Sequence, residues 1–233
     1  MNFTRPYFNQ WKRPMNRKLK LVALLYASTV FGEVLAENIV EGTGAGAALT
    51  SGDKNIFLGS GAGAAQTIQK ESLFIGDQAG NSSTGTINTY LGSASGENTT
   101  TAFFNVFVGY QSGQNATAAS RSTFIGAYAG KNTSTGVDNN YVGYEAGMNM
   151  TNGVDNVAIG YRSMYGDINA TNGRMNTAAG NYSGYSIAGG WRNTMIGNHA
   201  GYDLTDGMAN TFFGDNAGGY TCLLYTSPSP RDA

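Results

Sequence analysis

The stretch NNYVGYEAG, residues 139–147, decides the fold because the chain repeats it at a fixed interval. Three further stretches share its pattern of Asn or Ser, a variable residue, an aromatic residue, an aliphatic residue and Gly-x-x-x-Gly: NTYLGSASG (88–96), NVFVGYQSG (105–113) and STFIGAYAG (122–130). Anchoring on the first glycine gives eleven units from Gly42 to Gly214, with eight steps of 17 residues, one of 16 and one of 20. Such a period indicates a repeat architecture in which each unit packs on its neighbours.

The residue types within one unit predict short strands joined by sharp corners. Numbering each unit from its Asn or Ser as position 1, positions 2–4 are rich in β-branched and aromatic residues, which favour a strand. The glycines at positions 5 and 9 disfavour a helix and suit corners. We expect a second short strand around the Asn-x-Thr segment near position 13. The sequence therefore predicts an all-β fold, a β-solenoid (β-roll or β-helix) of about eleven 17-residue coils, with equivalent residues about 4.8 Å apart.

Position 1 is the most constant polar column of the repeat. In stacked coils, identical amides lie above one another and can form a hydrogen-bonded ladder. The predicted ladder includes Asn88, Asn105, Asn139 and Asn156.

Positions 3 and 4 bear on assembly because consecutive strand residues point to opposite faces. If the aliphatic residues of position 4 fill the coil, the aromatic residues of position 3 form an exterior stripe that serves as an oligomer interface or ligand surface. The alternative places the aromatic residues in the core. Either arrangement leaves an apolar face outside, so we predict a homo-oligomer, a trimer, associated along the coils. The aromatic column comprises Phe57, Phe74, Tyr90, Phe107, Phe124, Tyr141 and Phe212.

A second polar array follows from the Asn-x-Thr segments. Residues i and i+2 of a strand face the same way, so the Asn and Thr side chains form two parallel rows. Ice-binding solenoids present regular rows of this general kind, and ice is therefore an alternative ligand to a glycan or another extracellular surface. Four of the Asn residues also stand in Asn-x-Ser/Thr sequons, and a row of N-glycans is an equally open interpretation. This polar face comprises Asn98, Thr100, Asn115, Thr117, Asn132, Asn149 and Thr151.

The two ends of the chain differ from the repeat. Residues 1–36 combine a basic start with a short apolar run and a small residue before Glu37, which is typical of a signal peptide and predicts a secreted or cell-surface protein. Residues 222–233 break the repeat and are interpreted as a non-native tail derived from a sequencing adapter. The intervening domain, 37–221, has 13 acidic and 7 basic residues and no Cys, so we expect no nucleic-acid partner and no stabilising disulfide.

Catalysis and metal binding find little support in the sequence. His199 is the only histidine, lies in a Gly-x-x-x-Gly corner without a recurring acid–base partner, and is expected to face solvent. Asp138 and Asp155 are 17 residues apart and could bind Ca²⁺ as a stacked pair, but turn formation explains them better. We therefore predict no catalytic residues, no metal site and no cofactor.

The motif NVAIGYRS (156–163) and its variant NTMIG (193–197) resemble the head repeats of trimeric autotransporter adhesins. They are also similar to repeats of other bacterial surface proteins and of tail-fibre-like proteins. The resemblance covers about residues 38–221, nearly all of the repeat domain. It implies a left-handed β-roll in each chain, packing of three chains into a trimer, and binding to host or matrix surfaces. The function expected from the sequence is an adhesin-like or structural fibre module.

Overall fold

The computed structural model describes residues 38–167 and 173–219, so the predicted signal peptide and the C-terminal tail lie outside the described residues. The described chain contains eleven strands of three residues, one in each coil. The strands are β1 (Ile39–Glu41), β2 (Ile56–Leu58), β3 (Leu73–Ile75), β4 (Thr89–Leu91), β5 (Val106–Val108), β6 (Thr123–Ile125), β7 (Asn140–Val142), β8 (Val157–Ile159), β9 (Thr177–Ala179), β10 (Thr194–Ile196) and β11 (Thr211–Phe213).

All eleven strands belong to one parallel sheet in which each strand pairs with the next strand of the sequence. The register aligns equivalent repeat positions, as in the pairing of Phe107 with Phe124 and of Val108 with Ile125. The ten intervals between strands span about 48 Å at the usual strand spacing. The prediction of an all-β solenoid is therefore confirmed.

The Asn-x-Thr segment is a turn rather than the second strand that the sequence predicted. The coils still bond to one another there, since the Thr84 N–H donates to the Thr100 carbonyl at 2.8 Å. However, the N–H groups of both Thr100 and Thr101 converge on the carbonyl of Thr117, at 2.9 and 3.0 Å. Two successive donors cannot share one acceptor in an extended ladder, so the chain bends at this point.

The aromatic column of position 3 lies inside the coils. Phe57, Phe74, Tyr90, Phe107, Phe124 and Tyr141 are fully buried, and Phe212 is half-buried against the same core. Successive rings from Phe57 to Tyr141 stack with centroids 4.6–5.2 Å apart. The interpretation of this column as an exterior interface or ligand stripe is therefore wrong, and the alternative arrangement holds.

Glycine at position 9 explains why the aromatic residues point inward. Gly130 has φ +57°, and a Cβ on it would lie 2.5 Å from the Phe124 ring. Only a residue without a side chain leaves room for the ring at this corner. In the eighth coil Met164 takes the place of this glycine, and the strand residue of that coil is Ala158. Both side chains are buried in the same core as the aromatic rings.

The Asn ladder of position 1 is buried and closes each coil. The Nδ2 group of Asn105 donates to Asn88 Oδ1 at 3.2 Å and to the Ala119 carbonyl of its own coil at 2.8 Å. Its Oδ1 accepts the backbone N–H of Ser122 at 3.0 Å. Asn88, Asn105, Asn139 and Asn156 are all at most 1 % exposed, so these bonds form away from solvent. Each of these amides therefore forms hydrogen bonds to a neighbouring coil and to the backbone at the end of its own coil.

Candidate functional site

The outer face of the sheet carries a row of exposed and half-buried apolar residues at position 4, beside a position-2 row that is Thr or Asn in six of the eleven strands. Positions 2 and 4 of every strand point outward because position 3 points inward. Ile125 is 40 % exposed and Ile159 is 47 % exposed. Glu41 is the only charged residue at these outward positions in the described strands. We call this surface the sheet face; its position-4 residues from β2 to β11 are Leu58, Ile75, Leu91, Val108, Ile125, Val142, Ile159, Ala179, Ile196 and Phe213.

A second exterior surface is built from tyrosines that flank the Gly-x-x-x-Gly turn. They occupy positions 6, 7 and 10, next to the corner at which each strand ends. We call this surface the tyrosine face; it comprises Tyr110, Tyr128, Tyr144, Tyr161, Tyr165, Tyr182, Tyr185, Tyr202 and His199. Every one of these rings is half-buried or exposed, in contrast to Tyr90 and Tyr141 of the core.

Ring contacts run without a break along the tyrosine face. Tyr110 meets Tyr128 edge to face at 5.4 Å, and Tyr128 meets Tyr144 in the same way at 5.8 Å. The Tyr144 and Tyr161 rings stack at 5.5 Å. At position 10 of three successive coils the rings are nearly parallel, with Tyr165–Tyr185 at 5.1 Å and Tyr185–Tyr202 at 4.9 Å. Edge-to-face and offset-stacked pairs of this kind are the favoured geometries of aromatic rings.

Charged groups anchor the middle of the tyrosine face. The Arg162 guanidinium lies 5.4 Å from the Tyr161 ring centroid and 5.5 Å from that of Tyr165, within range of cation–π attraction. Its Nε donates to Glu145 Oε2 at 2.5 Å. Glu145 raises the pKa of Arg162 and, by accepting the Tyr144 hydroxyl, the pKa of Tyr144 as well. This part of the surface is thus aromatic and locally neutral.

The polar face of the Asn-x-Thr segments consists of side chains bonded to one another. The Nδ2 groups of Asn98, Asn115 and Asn132 each donate to the Oδ1 of the next Asn in the column, at 2.8, 2.9 and 2.8 Å. The last member, Asn149, donates to the Gly166 carbonyl at 3.3 Å. Asn98 and Thr100 are exposed, and Asn149 is buried. The other four residues of this face are half-buried: Asn115, Thr117, Asn132 and Thr151.

The hydroxyls of this face also bond inside the protein. Thr100 Oγ1 donates to the Thr117 carbonyl at 2.9 Å, and Thr117 Oγ1 donates to the Ser134 carbonyl at 3.2 Å. Both donors are therefore directed along the coils rather than outward. The four sequon amides form a ladder spaced about 4.8 Å apart, too close to carry a bulky glycan on every rung.

The candidate acid–base and metal residues make contacts within the fold or occupy its corners. His199 is half-buried rather than solvent-facing, and it stacks on Tyr182 at 4.9 Å. Asp138 has φ +59°, a corner conformation, and receives two 2.7 Å bonds from Arg121, which lower the pKa of its carboxyl group. Asp155 has the same corner conformation, with φ +57°. Within residues 38–167 and 173–219, no group of three or more His, Cys, Asp or Glu side chains is placed to hold a metal ion.

Sequence reasoning missed the tyrosine face. The signal was present in the segments GYQSG, GYEAG and GYRSM, where Tyr110, Tyr144 and Tyr161 directly follow the corner glycine. The strand positions dominate the repeat pattern, whereas the corner residues vary in the first coils and are aromatic only in the fifth to tenth coils.

No protein-family model matches the chain, and no curated protein or solved structure matches it either. None of the described residues forms a helix long and apolar enough to cross a membrane.

Proposed function

We propose that the chain is a non-catalytic, secreted or cell-surface module that associates with copies of itself and acts as an adhesin-like or structural fibre. The observation that carries this proposal is the apolar position-4 row of the sheet face, which is exposed or half-buried along its length. All-parallel sheets are normally covered on both faces, and here each coil covers only the inner one. A long uncharged row that includes Ile75, Ile125 and Ile159 is a typical interaction surface.

A second copy of the chain is the occupant that fits this face best. The outward side chains recur with every coil, at an interval of about 4.8 Å. A second solenoid with the same rise matches this interval along the whole sheet, whereas a globular partner matches it over a few strands. Three copies form the assembly that the resemblance to adhesin heads implies.

The tyrosine face supports the adhesive part of the proposal. It lies beyond the glycine corner from the sheet face, so it stays accessible when the sheet face is covered. Tyrosines offer large contact area and a hydroxyl at small entropic cost, which is why they are common in binding surfaces. Arg162 and Glu145 add polar contacts in the middle of the surface. A glycan or protein of an extracellular surface is the proposed ligand.

Sedimentation of the purified chain tests the self-association. We expect an oligomer at micromolar concentration, and dissociation to folded monomers when Ile125→Lys and Ile159→Lys are combined. The matched control combines Ser51→Lys with Thr101→Lys, two exposed positions away from the sheet. It adds the same charge and should remain oligomeric. A wild-type chain that sediments as a soluble monomer contradicts the proposal.

A thermal-hysteresis measurement separates this role from ice binding. Since the Thr100 and Thr117 hydroxyls already donate to backbone carbonyls, we expect no hysteresis from the wild-type chain. Clear hysteresis that is lost in Thr117→Tyr would instead favour the ice-binding alternative.

A further inference from the structure

We propose that Tyr185 and Tyr202 are a site of oxidative cross-linking, at which a one-electron oxidant such as a haem peroxidase with hydrogen peroxide joins the two rings as dityrosine. The inference rests on the tyrosine face alone and does not depend on self-association.

The geometry of this pair suits coupling between adjacent coils. The two ring centroids are 4.9 Å apart and the ring planes differ by 5°, the closest and most parallel tyrosine pair on the exterior of the described coils. The backbones are held together beside the rings, because the Ser186 N–H donates to the Tyr202 carbonyl at 3.0 Å. Both side chains are half-buried, so the pair is confined and yet open to solvent on one side.

The other tyrosines are less suited to coupling, because of their ring angles, their contacts with Arg162 or their lack of a tyrosine neighbour. The Tyr110–Tyr128 and Tyr128–Tyr144 pairs are nearly perpendicular, at 85° and 87°. Tyr161 and Tyr165 are held in cation–π contacts by the Arg162 guanidinium, which draws on the π electrons that an oxidant would remove. The core residue Tyr90 stacks only on Phe74 and Phe107, which have no phenol to oxidise.

The exposed tyrosines provide a path by which oxidation reaches the pair. Tyr161 is 37 % exposed and meets Tyr182 at 5.2 Å, and Tyr182 lies 5.7 Å from Tyr185 and 6.1 Å from Tyr202. A radical formed at the rim can therefore pass through ring contacts to Tyr185 or Tyr202.

The reaction balances with one peroxide for each cross-link. Each phenol loses one electron and its hydroxyl proton, and the two radicals form a carbon–carbon bond between the ring positions ortho to oxygen. The two ring hydrogens at the new bond then move to the oxygens and restore both phenols. Hydrogen peroxide accepts the two electrons and two protons and leaves as two molecules of water.

The product would be a covalent bridge between two successive coils. It closes a loop of 17 residues, in the manner of a disulfide in a chain whose repeat domain has no Cys. We expect the bridge to oppose separation of the ninth and tenth coils.

Peptide mapping of the oxidised full-length chain tests the inference. Arg192 lies between the two tyrosines, so trypsin leaves them on separate peptides that only a cross-link can join. After treatment with a haem peroxidase and equimolar hydrogen peroxide, we expect dityrosine fluorescence and a joined peptide pair lacking two hydrogen atoms. A mixture of isotope-labelled and unlabelled chains should give joined peptides of one label only, since the bond forms within a chain.

Two substitutions make the test specific. Tyr185→Phe keeps the stacked ring but removes the phenol, and we expect it to abolish the joined peptide and most of the fluorescence. Tyr128→Phe, from the perpendicular pairs, is the matched control and should leave both unchanged. The oxidised wild-type chain should also melt several degrees higher than the untreated chain, and Tyr185→Phe should not. Cross-links that join only different chains, or a yield unaffected by Tyr185→Phe, would overturn the proposal.

Discussion

Glycine at position 9 of the repeat is required for two reasons: its φ is positive, and an aromatic ring packs where a Cβ would lie. Substitutions at different glycines can separate these two contributions to stability. Gly130 and Gly44 both have positive φ, +57° and +72°, but only a Cβ on Gly130 would meet a ring, that of Phe124. We expect Gly44→Ala to cost about 1–2 kcal/mol of unfolding free energy from backbone strain alone. Gly130→Ala should cost about 1–3 kcal/mol more, because the ring must move. Denaturant unfolding of the two variants measures the difference, and equal losses would mean that the ring does not pack there.

The two amide columns differ in burial, so the same substitution should have unequal effects on them. Replacing Asn105 by Leu removes the acceptor of the Ser122 N–H and the donor to the Ala119 carbonyl, both buried. Each buried group left unpaired costs about 1–3 kcal/mol. Asn98→Leu removes one exposed bond, to Asn115, and should change stability little. Thermal melts of both variants check this, and an unchanged melting temperature for Asn105→Leu would contradict the buried ladder.

At the scale of one coil, the residues at positions 3 and 9 share the core. In the eighth coil the pair is Ala158 and Met164, whereas the second to seventh coils have an aromatic residue and glycine. Ala158→Phe alone should destabilise the protein, because Met164 already fills the space. Adding Met164→Gly should restore much of the loss, since it recreates the usual pair. A double-mutant cycle measures this coupling, and simple additivity of the two effects would show that the two sites do not share a cavity.

The strand itself shows what could and could not be predicted from the sequence. The alternation of strand side chains correctly placed positions 3 and 4 on opposite faces. It could not show which face is inside, because Phe124 and Ile125 are both apolar. The glycine at position 9 indicates which face is inside, because it leaves room for the ring. However, the contact between Gly130 and Phe124 can be recognised only in the folded coil. The Asn-x-Thr segment was predicted as a strand from its regular spacing, but two N–H groups converge on one carbonyl and turn the chain.

At the scale of the whole repeat domain, the fixed period was sufficient to predict the solenoid. Repeat spacing directly determines which residues stack, and the in-register sheet follows. The surfaces were harder to predict. Tyr161 and Tyr182 occupy different repeat positions, 6 and 7, so they form no column in the aligned sequence, yet their rings meet at 5.2 Å. Their contact depends on the direction in which the glycine turn points the side chains of neighbouring coils. The linear sequence does not show that direction.

Thiol labelling tests most directly the proposed coverage of the sheet face by another copy of the chain. Cys222, the single cysteine of the chain, is first replaced by Ser. Ile159→Cys then places a thiol on the sheet face, and Thr101→Cys places the control thiol at an exposed position away from it. We expect the labelling rate at position 159 to fall as protein concentration rises and to recover on dilution, while the rate at position 101 stays constant. Equal rates at both positions, at every concentration, would contradict the account.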